Sequence, residues 1–319
     1  MLNRKHIVAM LAIIIVLAVL PNFVSRYYIS LLVSLYMYLI LTVCWSFFSG
    51  TTGYISLSTA AFFGIGVYLM AILGDSLPVP LVFLVALLSG FLIATIVGLS
   101  TLRLRGIYFV IFSFGLSELL RQVFKWYEVN VTGTVGRHVT LASYGSTNVY
   151  YYLLILSFVI VLLNWFFQKH HFLGYALRSI GQNEEAAATS GVNTTFYKVF
   201  AFALSSSVMT LVGAIITLRW YYIDPYIAFN PNISFLVVVM ALLGGVGVHY
   251  GSLLGVIPLV LLSEILSTKY PHHFMMLLGF VYIIVIYIFE DGIVGFKDAL
   301  MNKYFQKFNR KGAVSNAQD

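Results

Sequence analysis

A chain of 319 residues that is 61% hydrophobic and only 9% charged does not have the composition of a soluble protein, which usually carries about 25% charged residues. Hydrocarbon excludes charge in this way, so the net charge of +7 is read as loop cations that set membrane orientation, not as a nucleic-acid surface. The single cysteine, Cys44, excludes an intrachain disulfide.

The first apolar run, Ile7–Val24, follows Arg4 and Lys5. No small-x-small cleavage site comes after it, which predicts an uncleaved span. A membrane helix needs about 20 mostly apolar residues. The next runs of that kind are Ile29–Phe48, Tyr54–Leu73, Val79–Leu99, Ile107–Trp126, Val149–Phe167 and Val199–Leu218. Then comes Ile233–Thr268, with 36 residues, and finally Phe274–Phe289. As one helix the 36-residue run would be about 54 Å long, too long for one crossing. Gly244-Gly245-Val246-Gly247 lies inside it, a natural break. Splitting there predicts an all-α polytopic membrane protein of about ten spans (eight to ten), with both termini cytoplasmic. The pair of spans meeting at 49–53, and the pair meeting at 244–251, are where a broken or re-entrant helix is expected.

Loop charge supports that orientation. Arg4, Lys5, Arg103, Arg105, Lys169, Arg178, Lys198, Lys297, Lys303, Lys307, Arg310 and Lys311 fall inside; Arg26, Arg121, Lys125, Arg137, Arg219 and Lys269 fall outside. Twelve against six, with a basic tail at 290–319 on the inner side, follows the bias of cytoplasmic loops.

Small residues recur every fourth position: Ala86, Gly90, Ala94 and Gly98; Ser56, Ala60 and Gly64; Gly247, Gly251 and Gly255. Such stripes share a helix face and let helices approach closely in a membrane. Glu118 and Glu264 lie in predicted spans, and a carboxylate there must be partnered or neutral. Arg121, one turn from Glu118, is the expected partner. Glu118 is also a candidate for the translocation path; Glu264, nearer a span end, reads as interfacial. Tyr150, Tyr151 and Tyr152, and Trp220, Tyr221 and Tyr222, are expected as interfacial anchors. No G-x-x-x-x-G-K-[ST] phosphate loop, HExxH or CxxC occurs, so no nucleotide or metal site of those types is signalled. The pairs His170-His171 and His272-His273 are poor chelates, because adjacent residues point to different helix faces.

The polar stretch Gln168–Lys198 stands apart from these spans. Asn183 can cap a short helix that opens with Glu184 and Glu185, where the helix dipole favours negative charge. Ala186, Ala187 and Ala188 are strong helix formers. Gly191 suits a left-handed stop. The prediction is a short acidic helix held at the membrane surface.

Glu185-Ala186-Ala187, three residues, then Gly191 resembles the EAA-x3-G signature of bacterial ABC importer permeases. Three further blocks are similar to the branch of that family that handles branched-chain amino acids and urea: Gly50–Tyr68, Leu102-Arg103-Leu104-Arg105-Gly106-Ile107-Tyr108-Phe109, and Leu243–Gly247 with Gly251 and Gly255. The run Tyr175–Ala187, with Arg178, resembles the approach to its coupling helix. The chain departs in lacking an I-x-L-P tail after Gly191, as that branch does, and in carrying Ser58-Thr59 where many members have Gly-His.

The resemblance implies a single transmembrane domain over 1–319, acting as a permease subunit of an importer of branched-chain amino acids in the bacterial cytoplasmic (inner) membrane. It implies that the helix around Glu184, Glu185, Ala186, Ala187 and Gly191, with Arg178, docks on two separate ATPase subunits. ATP and Mg would be bound by those subunits and no cofactor by this chain. A second homologous permease and an extracytoplasmic solute-binding protein are the other implied partners. Ser56, Ser58, Thr59 and Glu118 are the expected lining of the path. The alternatives are the same machinery importing urea, short amides or other amino acids, and an ATP-independent transporter or channel.

Overall fold

A computed structural model describes residues 17–104, 106–140, 145–245, 251–288 and 292–293. Most of the first predicted span lies outside the described residues, as do Arg105, Gly247 and almost all of the 290–319 tail. The chain divides into two compact units, Met1–Val237 and Val238–Asp319.

The architecture is all-α and polytopic. The helices are α1 (Arg26–Thr52), α2 (Thr59–Leu73), α3 (Val79–Thr101), α4 (Ile107–Tyr127), α5 (Gly145–His170), α6 (Phe172–Gln182), α7 (Glu184–Thr189), α8 (Thr194–Thr217), α9 (Pro225–Ala228), α10 (Pro231–Gly244), α11 (Gly251–Lys269) and α12 (Phe274–Ile288). Seven spans among the described residues are long and apolar enough to cross a membrane, and the apolar stretches Thr59–Leu73 and Pro271–Tyr287 are shorter. Each falls on a predicted span. The 233–268 run is indeed two helices: α10 stops at Gly244 and α11 starts at Gly251.

Within the first unit, α8 is the most enclosed crossing, with 89% of its apolar window buried. The stripe of Ala86, Gly90, Ala94 and Gly98 is buried on α3 and packs on α8, where a methyl group on Gly90 would sit 2.5 Å from Thr210 Oγ1. A methyl on Gly66 of α2 would lie 1.8 Å from the Thr210 carbonyl oxygen. These helices touch backbone to backbone, the contact that small residues permit where lipid removes the hydrophobic drive. In the second unit the same device joins α10 to α11, since a methyl on Gly255 would meet the Met240 carbonyl at 1.9 Å.

Hydrogen bonds define two ends of the first unit. At one, here the loop end, Lys198 reaches Tyr54, Leu102 and Glu184. At the far end, Thr140 donates to Asp75, Arg219 donates to Ser30, and the two-residue strands β1 (Arg137–His138) and β2 (Tyr222–Ile223) pair antiparallel.

Two expectations need correction. The predicted span Tyr54–Leu73 is helical only from Thr59; Gly53 ends α1 in the left-handed region at φ 75°, and residues 53–58 are not helical. Tyr150 is not an interfacial anchor but fully buried. Its hydroxyl donates to the Leu17 carbonyl at 2.6 Å, and its ring meets Tyr36 edge-on.

Candidate functional site

Three groups of residues are candidates for function.

The first is the loop-end helix. α6 is amphipathic, burying Leu173, Ala176, Leu177 and Ile180 on one face, the i, i+3, i+4, i+7 pattern of a surface helix. It lies tight on the end of α1: a methyl on Gly181 would meet the Thr51 carbonyl oxygen at 2.2 Å. His171, one of the predicted non-chelating pair, starts α6 by accepting the Leu173 N–H. Sequence reading finds one helix within 168–198; α6 is the second, and its signal was the spacing 173, 176, 177, 180.

α7 follows as predicted. Asn183 Oδ1 accepts the N–H groups of Glu185 at 3.0 Å and Ala186 at 3.1 Å. Gly191 has φ +88°, its N–H bonds the Ala188 carbonyl, and Val192 N–H bonds Ala187, so the turn closes through a glycine free to adopt the left-handed region. Ala187 is buried, while Glu185, Ala186, Ala188, Thr189 and Ser190 are exposed. Glu184 points the other way. Its carboxylate accepts from Tyr54 Oη at 2.7 Å and from Lys198 Nζ at 2.5 Å. Lys198 is nearly inaccessible, and it also donates to the Leu102 carbonyl at 3.3 Å. Arg178 donates to buried Gln168, itself bonded to Asn164. The predicted docking set therefore splits: Glu185 and Ala186 face solvent, and Glu184 and Arg178 tie the helix to the bundle.

The second group is the non-helical segment 53–58. Its backbone is satisfied by side chains from neighbouring helices. Trp45 Nε1 donates to the Ser56 carbonyl at 2.7 Å and Leu57 N–H donates to Ser113 Oγ at 2.9 Å; just beyond the segment, in the first turn of α2, Ala60 N–H donates to Ser234 Oγ at 2.9 Å. Irregular backbone at membrane depth persists only when protein or an aqueous cavity satisfies it. Ser56 and Ser58 share a hydrogen bond at 2.8 Å. With Ser49, Ser205 and Ser206 they line one narrow void beside Trp45. Ser205 Oγ and Thr59 Oγ1 are buried without a partner among the described residues.

The third group lies on α4. Glu118 accepts from Arg121 Nη2 at 2.6 Å, as predicted, and from Gln122 Nε2 at 2.8 Å. Arg121 and Lys125 both lie 5.2 Å from the centre of the Tyr226 ring, and Lys125 donates to its hydroxyl at 2.7 Å. Glu118 is partly exposed, with 38% of its side chain accessible, whereas Ser56, Ser58 and Thr59 are buried. The four residues predicted to line one path thus do not share one surface.

Sequence reading missed Glu128. It is 1% exposed in a π-helical turn that ends α4, bonded by Tyr68 Oη at 3.0 Å and the Gly136 N–H at 2.7 Å. It anchors the far-end loop onto α2. A cavity of about 210 Å³ between α1, α5 and α8 is apolar but for Asn164 and Ser205. Among the described residues, no group of three or more His, Cys, Asp or Glu is placed to hold a metal ion.

The profile of a family described as "Branched-chain amino acid transport system / permease component" matches residues 27–286. The chain is similar to the high-affinity branched-chain amino acid transport system permease protein LivM of Salmonella typhimurium, 24% identical over 89% of this chain and 74% of that protein. It has the same similarity to LivM of Escherichia coli, 24% over 89% and 74%. It also resembles the ribose import permease protein RbsC of Haemophilus influenzae, 25% identical over 44% of each chain. No solved structure matches.

Proposed function

The chain belongs to the permease component family of branched-chain amino acid transport systems, and from that membership we propose that it is a permease subunit of an ATP-driven importer of branched-chain amino acids in the bacterial cytoplasmic membrane. It forms the pathway with a second permease, receives substrate from an extracytoplasmic binding protein, and is driven by two separate ATPase subunits that bind ATP and Mg.

The observation that carries this reading is α7. It is short, capped by Asn183, stopped at Gly191, and displays Glu185 and Ala186 while Glu184 is bonded back into the bundle. A docking element must do both things: offer a face to a partner and be held so firmly that force on it moves the bundle. Coupling requires a physical element whose state both sites bias. α7 contacts α6 and, through Glu184, bonds Tyr54 of segment 53–58 and Lys198 near the start of α8. Closure of the ATPases displaces α7, and the bundle tilts to move access from one membrane face to the other. Glu118 lies on the path. Ser56, Ser58 and Thr59 shape it from behind, by fixing the break between α1 and α2.

The test is the double variant Glu185→Lys with Gly191→Pro. Leucine uptake and co-purification of the ATPase subunits are both lost, while the permease still reaches the membrane. Retention of both discards the docking role. An ATP-independent transporter would take up leucine in vesicles without ATP or binding protein; the importer subunit does not.

A further inference from the structure

The exposed faces of the membrane helices in the first unit fall into two kinds. On α3 the most exposed positions are Leu81, Leu84, Leu88, Leu92, Ile96 and Leu99. On α5 they include Ile155, Val159 and Leu163. These faces suit lipid. α4 differs: among its exposed Tyr108, Ile111, Leu119, Val123 and Trp126 stands the polar Gln122, and Glu118, Arg121 and Lys125 lie half-buried beside that face. Eleven residues separate Ile107 from Glu118, about 16 Å along the helix and so about half of a 30 Å hydrocarbon layer. One charge against lipid at that depth costs at least about 2.5 kcal/mol. Arg121 and Lys125 lie about 21 and 27 Å along, nearer the helix end, so Glu118, with 38% of its side chain accessible, is the charge that needs a polar neighbour at mid-depth. This face of α4 borders water or another polar surface.

We propose that Glu118 and Arg121, with Gln122 and Lys125, form a weak binding site in the path for the zwitterionic head of an α-amino acid. This rests on the reading of the chain as an amino acid permease and adds where and how the substrate is recognised. The Glu118 carboxylate takes the ammonium, and the Arg121 fork takes the carboxylate in the planar geometry a guanidinium favours. Each protein charge exchanges one partner for another, so no charge is left unpaired during passage. Leu119, 57% exposed and adjacent to Glu118, offers apolar surface to the aliphatic side chain. Tyr226 holds both cations from behind. Weak binding suits a path, where a ligand must leave as readily as it enters. A neutral amide, urea or a pentose has no charges to answer this pair.

The experiment uses the complete transporter carrying Cys44→Ala, so that an introduced cysteine is the only one in this chain. Leu119→Cys, which leaves Glu118 and Arg121 in place, reacts with a charged, membrane-impermeant thiosulfonate, and millimolar L-leucine slows the reaction about threefold or more. Ile155→Cys, on a lipid-type face, stays unreactive. Glu118→Gln with Arg121→Gln lowers L-leucine uptake about tenfold or more, and no less than either single change, with ATPase co-purification unchanged. A purely structural pair behaves in the opposite way, because removing both charges restores what removing one destroys. The proposal is overturned if Leu119→Cys is as inert as Ile155→Cys, if leucine gives no protection, or if the double variant transports within about twofold of the parent. Failure of the parent complex to co-purify with ATPases would strike the importer reading instead.

Discussion

Lys198 is a cation with almost no water around it, 4% exposed at its side chain, and Glu184 is its ionic partner. Taking charges out of water is costly, and removing one partner of a buried pair leaves the other uncompensated. Glu184→Ala is therefore expected to destabilise the detergent-solubilised protein by about 3 kcal/mol, although Glu184 stands at the start of an exposed turn. Lys198→Met with Glu184→Gln removes both charges and recovers more than half of that loss. Thermal unfolding of the two variants against the parent decides it; equal midpoints for parent and Glu184→Ala would show that the pair holds nothing. Such pairing is not legible in the sequence. The two residues are fourteen apart with a turn and a helix start between them, outside the i,i+4 spacing that a sequence reveals. Glu118 and Arg121, one turn apart on a single helix, could be paired by inspection and are paired in the structure.

Among the elements, the tightest glycine packing among the described residues of the first unit lies between α2 and α8. Gly66→Ala would place a methyl 1.8 Å from the Thr210 carbonyl oxygen, which belongs to rigid helix backbone. Overpacking of this kind costs about 1–3 kcal/mol, and Gly66→Ala lowers the unfolding midpoint accordingly. Gly115 on α4 has nothing within 4 Å of an added methyl, so Gly115→Ala gains up to about 1 kcal/mol from helix propensity. If both changes shift the midpoint alike, the close approach is not real. The crossing helices were legible because long apolar runs bounded by turn residues have few other uses, and the buried stripe on α3 was legible from its four-residue spacing. A break near 49–53 was expected, but its length, the non-helical run 53–58, was not. Tyr54-Ile55-Ser56-Leu57 is as apolar as the helix it precedes, and what breaks it is a set of donors and acceptors supplied by Trp45, Ser113 and Ser234 from elsewhere in the chain. α6 was hidden for another reason: its apolar positions sit among His171, Arg178 and Gln182, and its burial face is the bundle's end, not lipid.

At the scale of the molecule, the remaining claim is direction. The hydrogen-bonded ends show which loops lie together: 53–58, 102–104 and the 171–198 stretch at one end, 75, 128–140 and 219–223 at the other. They do not say which end meets the cytoplasm; charge does. The loop end carries Arg103, Arg105, Lys169, Arg178 and Lys198, and on the ten-span reading Arg4, Lys5 and the basic tail join them, twelve cations against six, so the positive-inside bias places it in the cytoplasm. Ser190 and Thr134 are exposed at the opposite ends. In the Cys44→Ala background, Ser190→Cys should react with an impermeant thiol reagent only in inverted vesicles, and Thr134→Cys only in intact spheroplasts. Both sides matter to the functional argument. ATPases work in the cytoplasm, so labelling of Ser190→Cys from outside would put α7 beyond their reach. A binding protein that delivers substrate from outside would likewise have to meet the far end, where the π-turn at Glu128 and the β1–β2 pair form the surface. Reversed labelling at both positions would leave the fold intact and remove the importer.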